Sequence, residues 1–398
     1  MNSSCAVVEG IRTVQRPAVT AVLASVLLLS AVGCSTAGGD GPPGTARAPG
    51  PHTGTSASPS PSRAVPPAKG AVKIVSTLTT GLDSPWGVAV LPEGDLLVSS
   101  RDRGTIIKVD AGTGRKTAVG KVPGVAPAGE GGLLGIAVSP TYASDHLVYA
   151  YFTTTSDNRI ARMFYDAKQP TGQQLGAPDT VFKGIPKGAL HNGGRIAFGP
   201  DKMLYAGTGE TGDRGLAQDR KSLGGKILRM TPDGQPVHGD PWADSVVYSY
   251  GHRNVQGLAW DTDGQLWADE FGQDTWDELN LIRPGKNYGW PEVEGKAGKG
   301  AFTGSVEQWK PADASPSGIA YAEGSLWMAS LRGERLWRIP LDGDKPSARP
   351  QAFLQGRYGR LRTVVSAGGD RLWLVTSNTD SRGRPKAGDD RILQLEVK

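Results

Sequence analysis

Short apolar runs punctuated by tight polar turns recur along most of the chain. Trp86-Gly87-Val88-Ala89-Val90-Leu91 closes at Pro92, turns through Glu93-Gly94-Asp95 and resumes as Leu96-Leu97-Val98. The same alternation runs through residues 135–140 before Leu147, and through residues 195–200 before Leu204. Apolar runs bounded by Gly, Pro and Asp read as strands, and the turns join them into hairpins. The leucine after each turn falls at positions 96, 147, 204, 266, 326 and 372, spaced 46 to 62 residues apart. Each interval holds a four-stranded unit plus a loop, and no convincing amphipathic helix interrupts the series. Repeats of this period built from short strands predict an all-β fold, a six-bladed β-propeller. A pair of β-sandwiches is the alternative, and the even spacing of six units weighs against it.

The strand ahead of most anchors is rich in small residues, which suits the crowded strand lining a central channel. Loops at one mouth of that channel converge, so polar residues at the ends of inner strands can meet over the axis. Composition agrees: 56 glycines and 29 prolines among 398 residues suit a turn-rich β protein. The net charge of +5 has no basic run behind it, which argues against a nucleic-acid partner.

The first 34 residues read as a processing segment. Arg12 and Arg16 precede an apolar run over 18–32 that is too short to span a bilayer comfortably. The run ends in Ala31-Val32-Gly33-Cys34, which resembles a bacterial lipobox; that resemblance implies lipidation at Cys34 and a membrane anchor. An ordinary secretory signal or an anchor helix is the alternative. Cys5 would leave with the signal, so no thiol remains for a disulfide in the mature domain. Residues 35–70 are almost entirely Gly, Pro, Ser, Thr and Ala, a composition that cannot bury enough surface to fold and predicts a disordered tether. The folded domain then covers 71–398.

Four segments carry candidate chemistry. His191-Asn192-Gly193-Gly194-Arg195 precedes the third inner strand; an imidazole there is a candidate general base, and a loop-capping histidine is the plainer reading. Arg253-Asn254 occupies the matching point of the next unit, where the arginine supplies a permanent charge and a planar donor fork; a structural arginine–acid pair is the alternative. Residues 269–280 form a dense oxygen-donor loop that suits Ca²⁺, or else a solvated acidic turn. Arg332 and the alternating pair Arg360 and Arg362 bring guanidiniums together, and neighbouring guanidiniums repel unless an anion sits between them.

Taken in order, these segments, with Gly129-Glu130-Gly131-Gly132 and Asn287-Tyr288-Gly289-Trp290-Pro291, resemble the soluble PQQ-dependent aldose sugar dehydrogenases of the glucose/sorbosone dehydrogenase family. The resemblance covers about residues 75–398. It implies a propeller holding pyrroloquinoline quinone (PQQ), a flat tricarboxylate, over the channel mouth. His191 matches the general base that takes a proton from the anomeric hydroxyl, and Arg253 matches the arginine beside the quinone oxygens. Glu130 and Asn254 match cofactor contacts, and Arg332, Arg360 and Arg362 match the clamp on the cofactor carboxylates. The carbonyls of Gly272 and Gln273 match the ligands of a Ca²⁺ ion; Glu278 and the carbonyl of Tyr288 match part of a second Ca²⁺ site. Glu130 stands where well-known members carry glutamine, Arg332 replaces a lysine, and Gln273 replaces a proline. The implied activity is oxidation of an aldose to a lactone, with electrons passed to an external acceptor. A non-enzymatic surface-tethered propeller and a Ca²⁺-dependent propeller lactonase are the alternatives.

Overall fold

The computed structural model describes residues 65–296 and 300–398. The signal-like segment, Cys34 and residues 35–64 of the expected tether lie outside the described residues. The described residues belong to one compact unit, Ser62–Lys398. It consists of six antiparallel sheets, the six blades predicted from the repeat. Among the described residues the only helices are single turns at Tyr142–Asp145 and Gly215–Gln218.

The first strands of the blades are Pro85–Val90, Leu133–Val138, Ile196–Phe198, Val255–Trp260, Pro316–Ala322 and Leu361–Gly368. Most pack directly on their counterpart in the next blade, and the sixth returns to the first, so together they ring the axis. All six leucine anchors fall in the second strand of a blade. Leu96, Leu204, Leu326 and Leu372 are fully buried there, between one sheet and the next. The repeat was legible because each blade must bury both faces against its neighbours.

Small residues on the inner strands have a steric cause. A Cβ built on Gly135 would lie 2.2 Å from the Gly194 carbonyl oxygen of the next blade. One on Gly257 would lie 2.4 Å from the Ser317 oxygen, and one on Gly318 would lie 2.8 Å from Thr363 Cα. Inner strands therefore approach backbone to backbone.

The two ends of the described chain close the ring. Val72–Thr79 pairs antiparallel with Ile392–Val397, with Ile74 opposite Leu395 and Thr77 opposite Leu393. The sixth blade is thus built from the last three strands plus the first. The residues just before that first strand also contact the fold. The Gly70 N–H donates to Gln351 Oε1 at 2.7 Å, and Arg338 donates to the Pro67 carbonyl at 3.0 Å.

Gly135→Ala is expected to lower stability by about 1–3 kcal/mol, because the clash is with backbone that cannot rotate away. Denaturant unfolding measures this; a change within error would show that the inner strands have slack.

Candidate active site

Loops from all six blades surround a cavity of ≈720 Å³ at one mouth of the channel. It collects His191, Glu130, Arg253, Asn254, Gly272, Gln273, Arg332, Arg360 and Arg362, positions scattered over more than 230 residues of sequence. Glu278 and Tyr288 do not line it; both are buried in the fourth-blade region behind it.

His191 sits ahead of the third inner strand with φ of 51°, in the left-handed region. The glycines after it are required: a Cβ on Gly193 would lie 2.5 Å from the Gly207 carbonyl, and one on Gly194 would lie 2.6 Å from Leu134. Its ring Nδ1 lies 3.0 Å from both carboxylate oxygens of Glu210. A carboxylate partner fixes the proton on Nδ1, which leaves Nε2 as the basic nitrogen. Burial alone would raise the Glu210 carboxyl. Hydrogen bonds from His191 and the Gly212 N–H, and the charges of His191 and Arg253, outweigh it and hold the group below its ordinary range.

Arg253 is half-buried, forms no direct ion pair among the described residues although the charges of Glu210, Glu294, Asp277 and Glu270 act on it, and lies 5.4 Å over the Trp290 ring. The Asn254 amide oxygen accepts the Gly193 N–H at 3.0 Å and the Gln256 amide at 3.2 Å. Asn254 therefore also fixes the glycine turn beside His191.

The arginine pair corrects one expectation. The anion between Arg360 and Arg362 is supplied by the protein: Asp380 Oδ2 accepts from Arg360 at 2.8 Å and from Arg362 at 3.4 Å. Its Oδ1 accepts the backbone N–H groups of Arg382 and Gly383 at 3.0 and 3.1 Å, which shapes the loop at the rim. The Asp380 carbonyl also takes a hydrogen bond from Arg101 at 3.2 Å. Burial pushes the Arg362 guanidinium down to about 9, with Asp380 opposing the shift, so it stays charged at neutral pH. Arg332 is exposed and meets no acceptor among the described residues.

Six arginines and three carboxylates line the cavity. The buried Nε atoms of Arg253 and Arg362 have no acceptor among the described residues. An anion carrying several carboxylates would answer the excess of arginines over carboxylates.

The expected calcium residues are arranged less compactly. No group of three or more His, Cys, Asp or Glu side chains converges as a metal site among the described residues. Gly272 and Gln273 border the cavity, and no described donor reaches their carbonyl oxygens. Glu278 and Glu270 share the amide of Asn280 at 3.1 and 3.0 Å. Burial, then the charge of Glu270, raise the Glu278 carboxyl to about 8. The Asn280 side-chain amide oxygen beside them is buried without a donor. This oxygen-rich set fits a hard cation.

The sequence reading missed Glu210, Asp380, Arg101 and Arg382. Glu210 had a signal, since it ends the strand-turn segment that His191 opens. Asp380 had none, because its partners lie about twenty residues upstream across a strand hairpin.

A family model described as Glucose / Sorbosone dehydrogenase matches residues 82–384. A PQQ-bound aldose sugar dehydrogenase from Streptomyces coelicolor superposes with a TM-score of 0.83 at 74% identity, covering 84% of this chain and 100% of that one. An aldose sugar dehydrogenase of Escherichia coli K12 is 29% identical over 341 residues, 77% of this chain and 90% of the relative. An uncharacterized protein of Synechocystis is 38% identical over 243 residues; the match covers 54% of this chain and spans 58% of that relative's length.

Asp380→Ala is expected to cost the cofactor-free protein about 3 kcal/mol, because it leaves buried guanidiniums uncompensated. Denaturant unfolding reads the loss, and unchanged stability would remove Asp380 as the organiser of the arginine pair.

Proposed function

The chain belongs to the glucose/sorbosone dehydrogenase family, and from that premise we propose that it oxidises an aldose at the anomeric carbon to a lactone. It is an enzyme of the PQQ-dependent sugar dehydrogenase class, as its relatives are named. Electrons then pass to an external acceptor. The observation that carries this reading is the imidazole of His191, fixed by Glu210 at the edge of a cavity where arginines outnumber carboxylates.

PQQ, when bound, supplies the two-electron oxidant that amino-acid side chains lack. Arg332, Arg360 and Arg362 would hold its carboxylates; the excess of arginines over acids fits such a polyanion. Asn254 would add an amide contact. The carbonyls of Gly272 and Gln273 would hold Ca²⁺, and Glu278 with the carbonyl of Tyr288 a second, structural Ca²⁺.

This chain's own residues divide the remaining work. His191 Nε2 takes the proton from the anomeric hydroxyl as the C1–H bond breaks. Glu210 keeps the imidazole in the required tautomer and stabilises the imidazolium that forms. Arg253 presents a positive charge where negative charge grows, and its partial burial strengthens that field. We also place the protein outside the cytoplasm, anchored through Cys34. The lipobox-like residues and the polar tether support this placement. Among the described residues no helix is long and apolar enough to cross a membrane.

Purified protein supplied with PQQ and Ca²⁺ is expected to reduce a dye with aldoses. His191→Ala should abolish turnover while PQQ titration stays near wild type. Glu210→Gln should lower kcat by about a hundredfold, the order associated with losing an orienting carboxylate. Failure of the wild-type protein to bind PQQ would favour the surface-binding propeller, and acid release from a lactone without PQQ would favour the lactonase.

A further inference from the structure

Glu130 lies in the loop between Lys116–Lys121 and Leu133–Val138, and it grips the segment carrying His191 at two points. Its backbone N–H donates to the Ala189 carbonyl at 2.9 Å. Its carboxylate Oε2 accepts the backbone N–H of His191 at 2.9 Å. The other oxygen, Oε1, accepts a guanidinium N–H of Arg382 at 2.7 Å. Glu130, His191 and Arg382 border the same cavity.

The grip matters because His191 is held in an unfavourable conformation. A φ of 51° is costly for a residue with a Cβ and persists only where surrounding contacts over-determine it. On the C-terminal side of His191, Asn192 is buried with its carbonyl accepting the Tyr151 hydroxyl at 2.9 Å, and Asn254 holds the Gly193 N–H; three contacts act on His191 itself. Thr211 N–H donates to the His191 carbonyl at 3.2 Å, Glu210 holds the ring, and Glu130 holds the backbone N–H. The neighbouring Leu190 is 44% exposed, so packing adds little on that side. Without the Glu130 carboxylate the His191 N–H would lose its acceptor.

The chemistry of the clamp also specifies its residue types. A carboxylate accepts at both oxygens, from the His191 amide on one side and the guanidinium on the other. A neutral amide at 130 that kept its oxygen on His191 would turn its NH₂ group toward Arg382, donor against donor. Acid at 130 and cation at 382 are therefore a matched pair. Arg382 is 57% exposed, so solvent screens the ion pair and its value lies in orientation more than in global stability.

We infer that Glu130 is a positioning residue for His191, oriented by Arg382, and not a direct ligand of the cofactor. The inference builds on the reaction proposed above. It extends that reaction by naming what sets the imidazole at the height from which it reaches the sugar hydroxyl, where small displacements are expensive.

The test compares wild type, Glu130→Gln, Arg382→Gln and the double variant. In cofactor-free protein, amide hydrogen exchange across residues 189–193 should accelerate in Glu130→Gln. It should return toward wild type in the double variant, where the amide introduced at 382 can offer its oxygen to the one at 130. With PQQ, Ca²⁺ and the best aldose, Glu130→Gln should lower kcat about tenfold, the order of one charge-assisted hydrogen bond. PQQ affinity and melting temperature should hold, and the double variant should recover most of the loss. Weaker PQQ binding with kcat intact at saturation would make Glu130 a cofactor contact and overturn the proposal. Unchanged exchange in Glu130→Gln, or no recovery in the double variant, would overturn it as well. If the exchange pattern appears but wild type oxidises no aldose, the clamp stands and the assigned reaction fails.

Discussion

Everything at the mouth depends on closure of the ring. Val72–Thr79 completes the sixth blade by pairing with Ile392–Val397, so the two ends of the described chain lie side by side in one sheet. An open arc of blades would leave an edge free and let the inner strands drift apart. Closure fixes the distance between loops that are far apart in sequence. Inner-strand glycines set how tightly the ring can close, because backbone oxygen occupies the space a side chain would need.

That rigid ring lets the protein hold charge where an isolated loop could not. Arg195 and Arg362 are both buried at the axis and lie 4.4 and 5.6 Å from the Trp86 ring. Burying a guanidinium costs free energy unless something offsets it. Asp380 offsets part of that cost for Arg360 and Arg362, and the Gln256 carbonyl and Thr363 hydroxyl satisfy Arg195. Arginines from several blades line the cavity. His191 stands on the edge of this cavity, with Glu210 behind its ring and Glu130 behind its backbone.

The blade count, the second-strand anchors and the general position of the site were legible in the chain. Each leucine such as Leu96 or Leu326 marks a face that must be buried twice, and that requirement recurs at a readable period. His191 and Arg253 were legible for a related reason: both directly precede an inner strand, so local pattern alone sends them to the channel mouth. Glu278 was readable as an oxygen donor, but not its sharing of Asn280 with Glu270.

The sequence alone determined the fold class, the repeat and which residue types carry chemistry, because these follow from local periodicity and side-chain character. Tertiary structure alone decided which of those groups face one another. It placed Asp380 between two arginines that the sequence left repelling, and joined Glu130 to Arg382 across 252 positions. It also turned Glu210 toward His191 instead of solvent. Such pairings depend on how six blades close around an axis, and distances across an axis are set by the ring as a whole and by no segment of the chain.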